Sequence, residues 1–404
     1  MRHHIKSSRV DLAIAAAFCG VIGLYDTLYV LSLLAGGPLI GPKVDVLFPD
    51  FLVFHAALRA WIEGKLALIY DIDVFTAFQN AIYADRFHVY AGFRPFFYPP
   101  IWLLMLLPLA GLAVGKAYGA FMVVTAGIAT WLEGRRDWWG WLAIVTSPAA
   151  VGTVLAGQNT FLSVALLYGG LHLLERSPAA AGILLGVLAY KPQLWALVPI
   201  ALVAARQWRT LTWTIGTAAA LALASAGVFG LDFWRAFFDA AREVGSAHVV
   251  NEMINRMYMQ MTTLFASARI VGFPAEIASV FQAVSTAFAI VVVWLTFRRH
   301  GPSDMRTAIL VTAIFLLSPY TLNYDLLLLM PVVVALYRRT AADGFYAAER
   351  LLYLALWLMP TYGLVMNRIG LPIMPLIILL FGALAWARLK AQYKVELPRP
   401  AATR

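Results

Sequence analysis

Charge is what this chain has least of. Only 13% of its 404 residues are Asp, Glu, Lys or Arg, while 62% are hydrophobic. A soluble domain carries roughly a quarter charged residues, so a water-soluble globular fold is excluded. Cysteine is almost missing too: there is one, Cys19. No disulfide can close within the chain, and no thiolate metal site can form. The alternating strands of a membrane β-barrel are lacking, because the apolar runs are continuous and rich in Leu and Ala. No internal repeat, low-complexity tract or soluble domain stands out. Metal-ligand spacings such as H-E-x-x-H are absent, and His3-His4 is a weak signal.

What is present is a succession of apolar segments. They lie near 11–34, 117–132, 138–154, 160–174, 179–190, 194–205, 210–230, 275–297, 306–321, 324–337, 349–366 and 371–388. The expected fold class is all-α: a polytopic transmembrane helical protein of about 12 spans forming one integral-membrane domain over residues 1–404. Two large outer loops, roughly 35–116 and 231–274, hold short amphipathic helices, and residues from about 390 to 404 form a cytoplasmic tail. Met1 to Arg9 is basic, and the long segment after it lacks a small-residue cleavage site, so it reads as a retained span.

The net charge of +10 does not point to nucleic acid. More than half of the 31 Lys and Arg residues fall on one side if both termini are inside; they include Arg135, Arg136, Arg206, Arg209, Arg298, Arg299, Arg338, Arg339 and Arg388. That is the positive-inside pattern. The apolar stretch 98–113 would invert this pattern if it crossed. It is short and interrupted by Pro99, Pro100 and Pro108, so it reads as re-entrant or interfacial.

Candidate chemistry collects in the outer loops. Asp50 heads a short amphipathic helix, with Phe51, Phe54, Leu58, Trp61 and Ile62 at helical spacing and Gly64 as a stop. An acid there can serve as an N-cap or as a general base whose ionised form the helix dipole favours. Asp45, Asp71, Asp73 and Asp85 share this loop. Asp71-Ile72-Asp73 fits the D-x-D of metal-dependent glycosyltransferases, but so short a pattern arises by chance. Gly157-Gln158-Asn159-Thr160 is a polar turn between two short spans. It reads equally as turn chemistry and as a binder of sugar hydroxyls. Lys191-Pro192-Gln193 ends a span; Lys191 either snorkels to headgroups or faces an outer cavity and holds a phosphate. The second loop carries His248, Asn251, Glu252, Asn255, Arg256, Tyr258 and Gln260. A solvated helix explains that mix, while Arg256 is its best phosphate ligand. Ser318-Pro319-Tyr320-Thr321-Leu322-Asn323-Tyr324-Asp325 puts an acid at the outer start of a span, as an N-cap or a functional group. Asp26 stands nearly alone in mid-span.

In order along the chain, Pro49-Asp50-Phe51-Leu52-Val53-Phe54-His55, Tyr70-Asp71, Tyr98-Pro99-Pro100, Gly157-Gln158-Asn159, Gly182 to Gly186 with Lys191-Pro192-Gln193, Gln207-Trp208-Arg209, and Ser318-Pro319 with Tyr324-Asp325 resemble glycosyltransferase family 87. This is a family of the GT-C type, also known as DUF2029. The resemblance covers about residues 10–390. Members include polyprenyl-phosphate-mannose-dependent mannosyltransferases of glycolipid assembly. The resemblance implies a polyprenyl-phosphate sugar donor, a lipid or glycan acceptor on the outer leaflet, and inversion at the anomeric carbon. It makes Asp50 the general base. Lys191, Arg256 and Arg94 are the cations that would stabilise the departing phosphate; with them in place no metal and no other cofactor is expected. Gln158, Asn159, His55, Gln193, His248, Tyr324 and Asp325 complete the expected substrate-binding set. Some members carry His after the Ser-Pro motif, where this chain has Tyr324.

The expected location is a bacterial inner membrane, with both termini cytoplasmic and the site on the periplasmic face. The expected partners are the donor, the acceptor and membrane lipids, with no nucleic acid and a monomer as the default. A secondary transporter or lipid flippase is the alternative. It calls for inverted repeats and charges at mid-membrane, whereas here the ionisable groups sit in the loops. A membrane scaffold is a third class, and it would have little need of two polar outer loops.

Overall fold

The structure, a computed structural model, describes residues 49–83, 95–243, 257–301 and 303–396. The expected first span, Cys19, Asp26, Asp45, Asp85, Arg94, His248 and Arg256 lie outside the described residues.

Among the described residues every regular element is helical. The first loop contributes α1 (Pro49–Ile62), α2 (Ile72–Tyr83) and α3 (Pro100–Leu106). Next come α4 (Val114–Ala129), α5 (Trp138–Val145), α6 (Pro148–Ala156), α7 (Thr160–Leu173), α8 (Pro178–Val187), α9 (Pro192–Trp195), α10 (Leu197–Ala204) and α11 (Trp208–Phe229). The second loop holds α12 (Leu231–Glu243) and α13 (Leu264–Val271). The chain continues through α14 (Ala275–Phe297), α15 (Ser303–Leu317), α16 (Met330–Asp343), α17 (Glu349–Arg368) and α18 (Met374–Glu396).

Among the described residues, three helices are long and apolar enough to cross a membrane: Trp208–Phe229, Ala275–Phe297 and Met374–Gln392. Counting each bent pair as one span raises that to five. The twelve spans expected from hydrophobic runs are therefore not present there as full-length helices. Prolines and tight turns explain why. Pro100, Pro148, Pro178 and Pro192 each begin a helix, where the missing N–H costs nothing. The 3-10 turn Leu188–Tyr190 ends the α8 segment. The stretch 98–113 does not run straight into α4: Pro100–Leu109 meets Val114–Gly134 at 108°. The expected span 138–154 is likewise broken, by 57°, between α5 and α6. Val280, Val284, Val291, Leu223 and Ile215 project outward on α14 and α11, an apolar exterior that suits lipid.

Two packing features hold the site's supports. The helix α7 is apolar all round and buried over most of its length, which makes it the central post. Gly182 and Gly186 on α8 let α11 approach closely. A Cβ on Gly182 would lie 2.6 Å from the Thr210 carbonyl oxygen, and one on Gly186 would lie 2.6 Å from that of Thr214. This is the small-residue contact of membrane helices.

The helices run between two chemically different ends. At one end lie Asp137 with Arg338, Asp304 with Arg339, and Glu349 with Arg388. The other end receives the turn after α6, the end of α8, and the segment between α15 and α16. From Asp325 to Asp343 the chain travels roughly 25 Å at helical rise, which separates the two.

Candidate active site

Segments far apart in sequence converge at this second end. Asp50 lies in the first turn of α1, directly after Pro49. It is part of the helix, not a cap residue ahead of it, and it still sits where the dipole favours a carboxylate. Its side chain is half-buried. Gly157, at φ 72°, ends α6 in the left-handed conformation, and the Gln158 N–H donates back to the Thr153 carbonyl at 3.0 Å. That closure is a glycine C-cap, and it delivers Gln158 and Asn159 to the site at fixed positions. Gln158 Nε2 donates to Asp50 Oδ2 at 2.7 Å. Gln158 Oε1 accepts from the Tyr98 hydroxyl at 3.0 Å and from the Asn159 N–H at 3.3 Å.

Tyr98 comes from the bend before α3. Its own carbonyl accepts from the Tyr70 hydroxyl at 2.7 Å, and its ring meets Phe54 edge-on at 5.2 Å. Burial pushes the Tyr98 hydroxyl well above the ordinary tyrosine range, and the charges of Asp325 and Asp50 raise it further. The Tyr98 hydroxyl therefore stays protonated at neutral pH and remains a donor.

Beside this group stands a buried ion pair. Lys191 occupies the break between the Leu188–Tyr190 turn and α9. Pro192 explains the break, because a residue before proline is driven from helical geometry. Lys191 Nζ donates to Asp325 Oδ1 at 2.6 Å and to Asn159 Oδ1 at 3.3 Å, and it stands 5.5 Å from the centre of the Tyr324 ring. Asp325 Oδ2 accepts from the Leu322 N–H at 3.1 Å, and Thr160 donates to Oδ1 at 3.5 Å. Asp325 lies inside the 3-10 segment Asn323–Leu329, not ahead of it as an N-cap. Its link to the Leu322 N–H is the acidic half of a capping box. The second loop is stitched to the same place: the Thr262 N–H donates to the Thr321 carbonyl at 3.1 Å, and Asn367 holds the Met259 and Met261 carbonyls.

Asp50, Gln158, Asn159, Lys191, Tyr324 and Asp325 thus come together. Lys191 is 1% exposed, and its charge is met by Asp325. A lone ammonium at such burial would be costly. His55 is directed elsewhere. Its Nδ1 is 2.9 Å from the Tyr83 hydroxyl and its Nε2 3.1 Å from the Leu112 carbonyl, so it ties α1 to α2 and to the turn before α4. Five residues past Asp50 it lies roughly 140° around the helix. Gln193 is half-buried on α9. Asp71 accepts from the Val74 N–H at 3.1 Å, so half of the D-x-D pattern caps α2. The residue missing from the expected site is Tyr98. Its Tyr-Pro-Pro context was visible, but its contact with Gln158, 60 positions away, has no local signature.

The model of glycosyltransferase family 87 matches residues 96–319, more than half of the 404. The chain belongs to glycosyltransferase family 87. It is accordingly a glycosyltransferase, and its long apolar helices are those of a membrane protein. No curated protein and no solved structure matches the chain. Tyr98, Gln158, Asn159, Lys191, Gln193 and Ser318 fall within the matched stretch; Asp50, Tyr324 and Asp325 fall outside it. In this family 87 member the fold brings Asp50 and Asp325 against residues inside the stretch.

Proposed function

We propose that this glycosyltransferase moves a hexose, with mannose the first candidate, from a polyprenyl-phosphate donor to a lipid or glycan acceptor at the outer leaflet. Asp50 takes the proton of the acceptor hydroxyl. The hydroxyl oxygen attacks the anomeric carbon as the bond to the phosphate oxygen breaks, and the electron pair leaves on the polyprenyl phosphate. The product is inverted. The observation that carries this reading is the 2.7 Å contact between Asp50 and Gln158. It holds a half-exposed carboxylate from the first loop against a turn inside the family's own stretch, where a base must be rigid to act.

The lipid phosphate is itself the leaving group, so no nucleotide-binding loop is required. Lys191 borders the polar turn, bonded to Asn159, and Arg94 and Arg256 belong to the two outer loops. These cations stabilise the developing phosphate charge, and the reading needs no metal. The membrane arrangement that goes with it is about twelve traverses with the arginine-rich end inside. The site then lies on the periplasmic face of a bacterial inner membrane, and the protein acts as a monomer.

The test uses purified protein in detergent with a membrane-lipid extract as acceptor source. It is given labelled mannose on polyprenyl phosphate in one arm and on a nucleotide in another, each with and without a chelator. Label should move from the lipid phosphate alone and be indifferent to the chelator. Transfer from the nucleotide sugar alone would overturn the donor assignment.

A further inference from the structure

We propose that Gln158 is the positioning residue of Asp50, a side chain whose amide is locked in one orientation so that its N–H fixes the plane of the carboxylate. The inference rests on Asp50 being the base.

The lock comes from the partners. A backbone N–H can only donate, so the Asn159 N–H at 3.3 Å requires an oxygen on the near side of the Gln158 amide. The Tyr98 hydroxyl, kept protonated, donates to the same atom at 3.0 Å. The amide nitrogen must then face Asp50 Oδ2, at 2.7 Å. A flipped amide would set its N–H₂ against two donors and its oxygen against a carboxylate. Both acceptor sites of Oε1 are filled, one Nε2 proton is committed, and the residue is 3% exposed. Little remains for a sugar hydroxyl. The backbone is equally constrained, between left-handed Gly157 and the bond from the Gln158 N–H to Thr153. Tyr98 is anchored in turn by Tyr70. The chain Tyr70–Tyr98–Gln158–Asp50 therefore runs from the first loop, through the turn after α6, and back to the first loop. Among the described residues, the ionisable groups near the carboxylate include Tyr98, Tyr320 and Tyr324 and the Lys191–Asp325 pair beyond Asn159.

The test compares wild type, Gln158→Glu, Tyr98→Phe and Asp50→Asn with labelled polyprenyl-phosphate mannose, between about pH 5 and about pH 9. Gln158→Glu sets a carboxylate beside Asp50, and two such groups share a proton. The acid limb of kcat/KM should move up by about one unit or more, with activity returning toward the alkaline end. Tyr98→Phe unlocks the amide and should lower kcat roughly tenfold at unchanged KM. An unmoved acid limb in Gln158→Glu, or a Tyr98→Phe loss confined to KM, would overturn the positioning role. If Gln158→Glu does not yield folded protein, the split between kcat and KM in Tyr98→Phe decides alone. An inactive Asp50→Asn beside unmoved profiles in the other variants brings down this inference only. A fully active Asp50→Asn brings down the base assignment with it.

Discussion

Two buried ion pairs among the described residues are built differently. Glu349 and Arg388 form a closed fork. Arg388 Nε and Nη2 donate to the two oxygens of Glu349 at 2.8 and 2.5 Å. The Tyr353 hydroxyl and the Tyr346 N–H fill the remaining acceptor sites, and the Gly344 carbonyl takes a further guanidinium proton. Lys191 and Asp325 touch through one oxygen only. Each then leans on a turn: Lys191 on Asn159, and Asp325 on Leu322. The first pair joins the start of α17 to the body of α18, and its further bonds among the described residues go to Tyr353, Tyr346 and Gly344. The second is next door, through Asn159 and Gln158, to the carboxylate of Asp50. Burial of charge is common to both and so does not mark function. What differs is how completely the hydrogen-bonding capacity is spent and what stands beside it.

The comparison can be broken by substitution. Removing one partner of either pair, as in Lys191→Met or Glu349→Gln, leaves a buried charge unmatched and should cost about 3–5 kcal/mol, read as loss of folded protein on size exclusion and heating. Removing both partners should rescue folding at either end. Glu349→Gln with Arg388→Met should also restore transfer, to within about threefold of wild type, because that end only needs closing. Lys191→Met with Asp325→Asn should restore folding but leave transfer down by about a hundredfold or more. Equal recovery of activity by the two double variants would erase that distinction.

A smaller effect tests how the near pair is held. A Cβ on Gly186 would lie 2.6 Å from the Thr214 carbonyl oxygen, whereas one on Gly216 of the neighbouring helix meets nothing within 4 Å. Gly186→Ala should lower the melting temperature by an amount matching about 1–3 kcal/mol of overpacking and reduce transfer, since Lys191 comes five residues later. Gly216→Ala should leave both unchanged. The smallest effect concerns an acid whose capacity is already spent on structure. Asp71→Ala should cost about 1 kcal/mol through the lost cap and leave transfer rates within about twofold. A collapse of activity there, rescued by a divalent metal, would revive the D-x-D reading.

The sequence shows local features well. The α1 helix could be read from apolar spacing and from Gly64, which adopts φ 68° where the helix stops. The break within 98–113 could be read from Pro108, which cannot donate to a helical ladder and falls in the 3-10 turn Leu107–Leu109 that ends α3. Span lengths could not, because a hydrophobic run does not reveal that Leu188–Tyr190 or Asn323–Leu329 tightens into a 3-10 turn. The site was legible as a set of polar residues but not as a network. Lys191 and Asp325 are 134 positions apart, and Asp50 and Gln158 are 108 apart. Such pairings depend on how α1, α6, α8 and α15 are stacked, and no periodicity encodes that. The same limit applies to His55, expected in the substrate-binding set, whose contacts to Tyr83 and to the Leu112 carbonyl have no local signature.

The central claim is that Asp50 is the base for transfer from a lipid phosphate. Its most direct test is the turnover of Asp50→Asn with labelled polyprenyl-phosphate mannose, measured on protein shown to melt and bind donor as wild type does. The account predicts a fall of about 10²–10⁴-fold in kcat with donor affinity retained. Turnover close to wild type would contradict it.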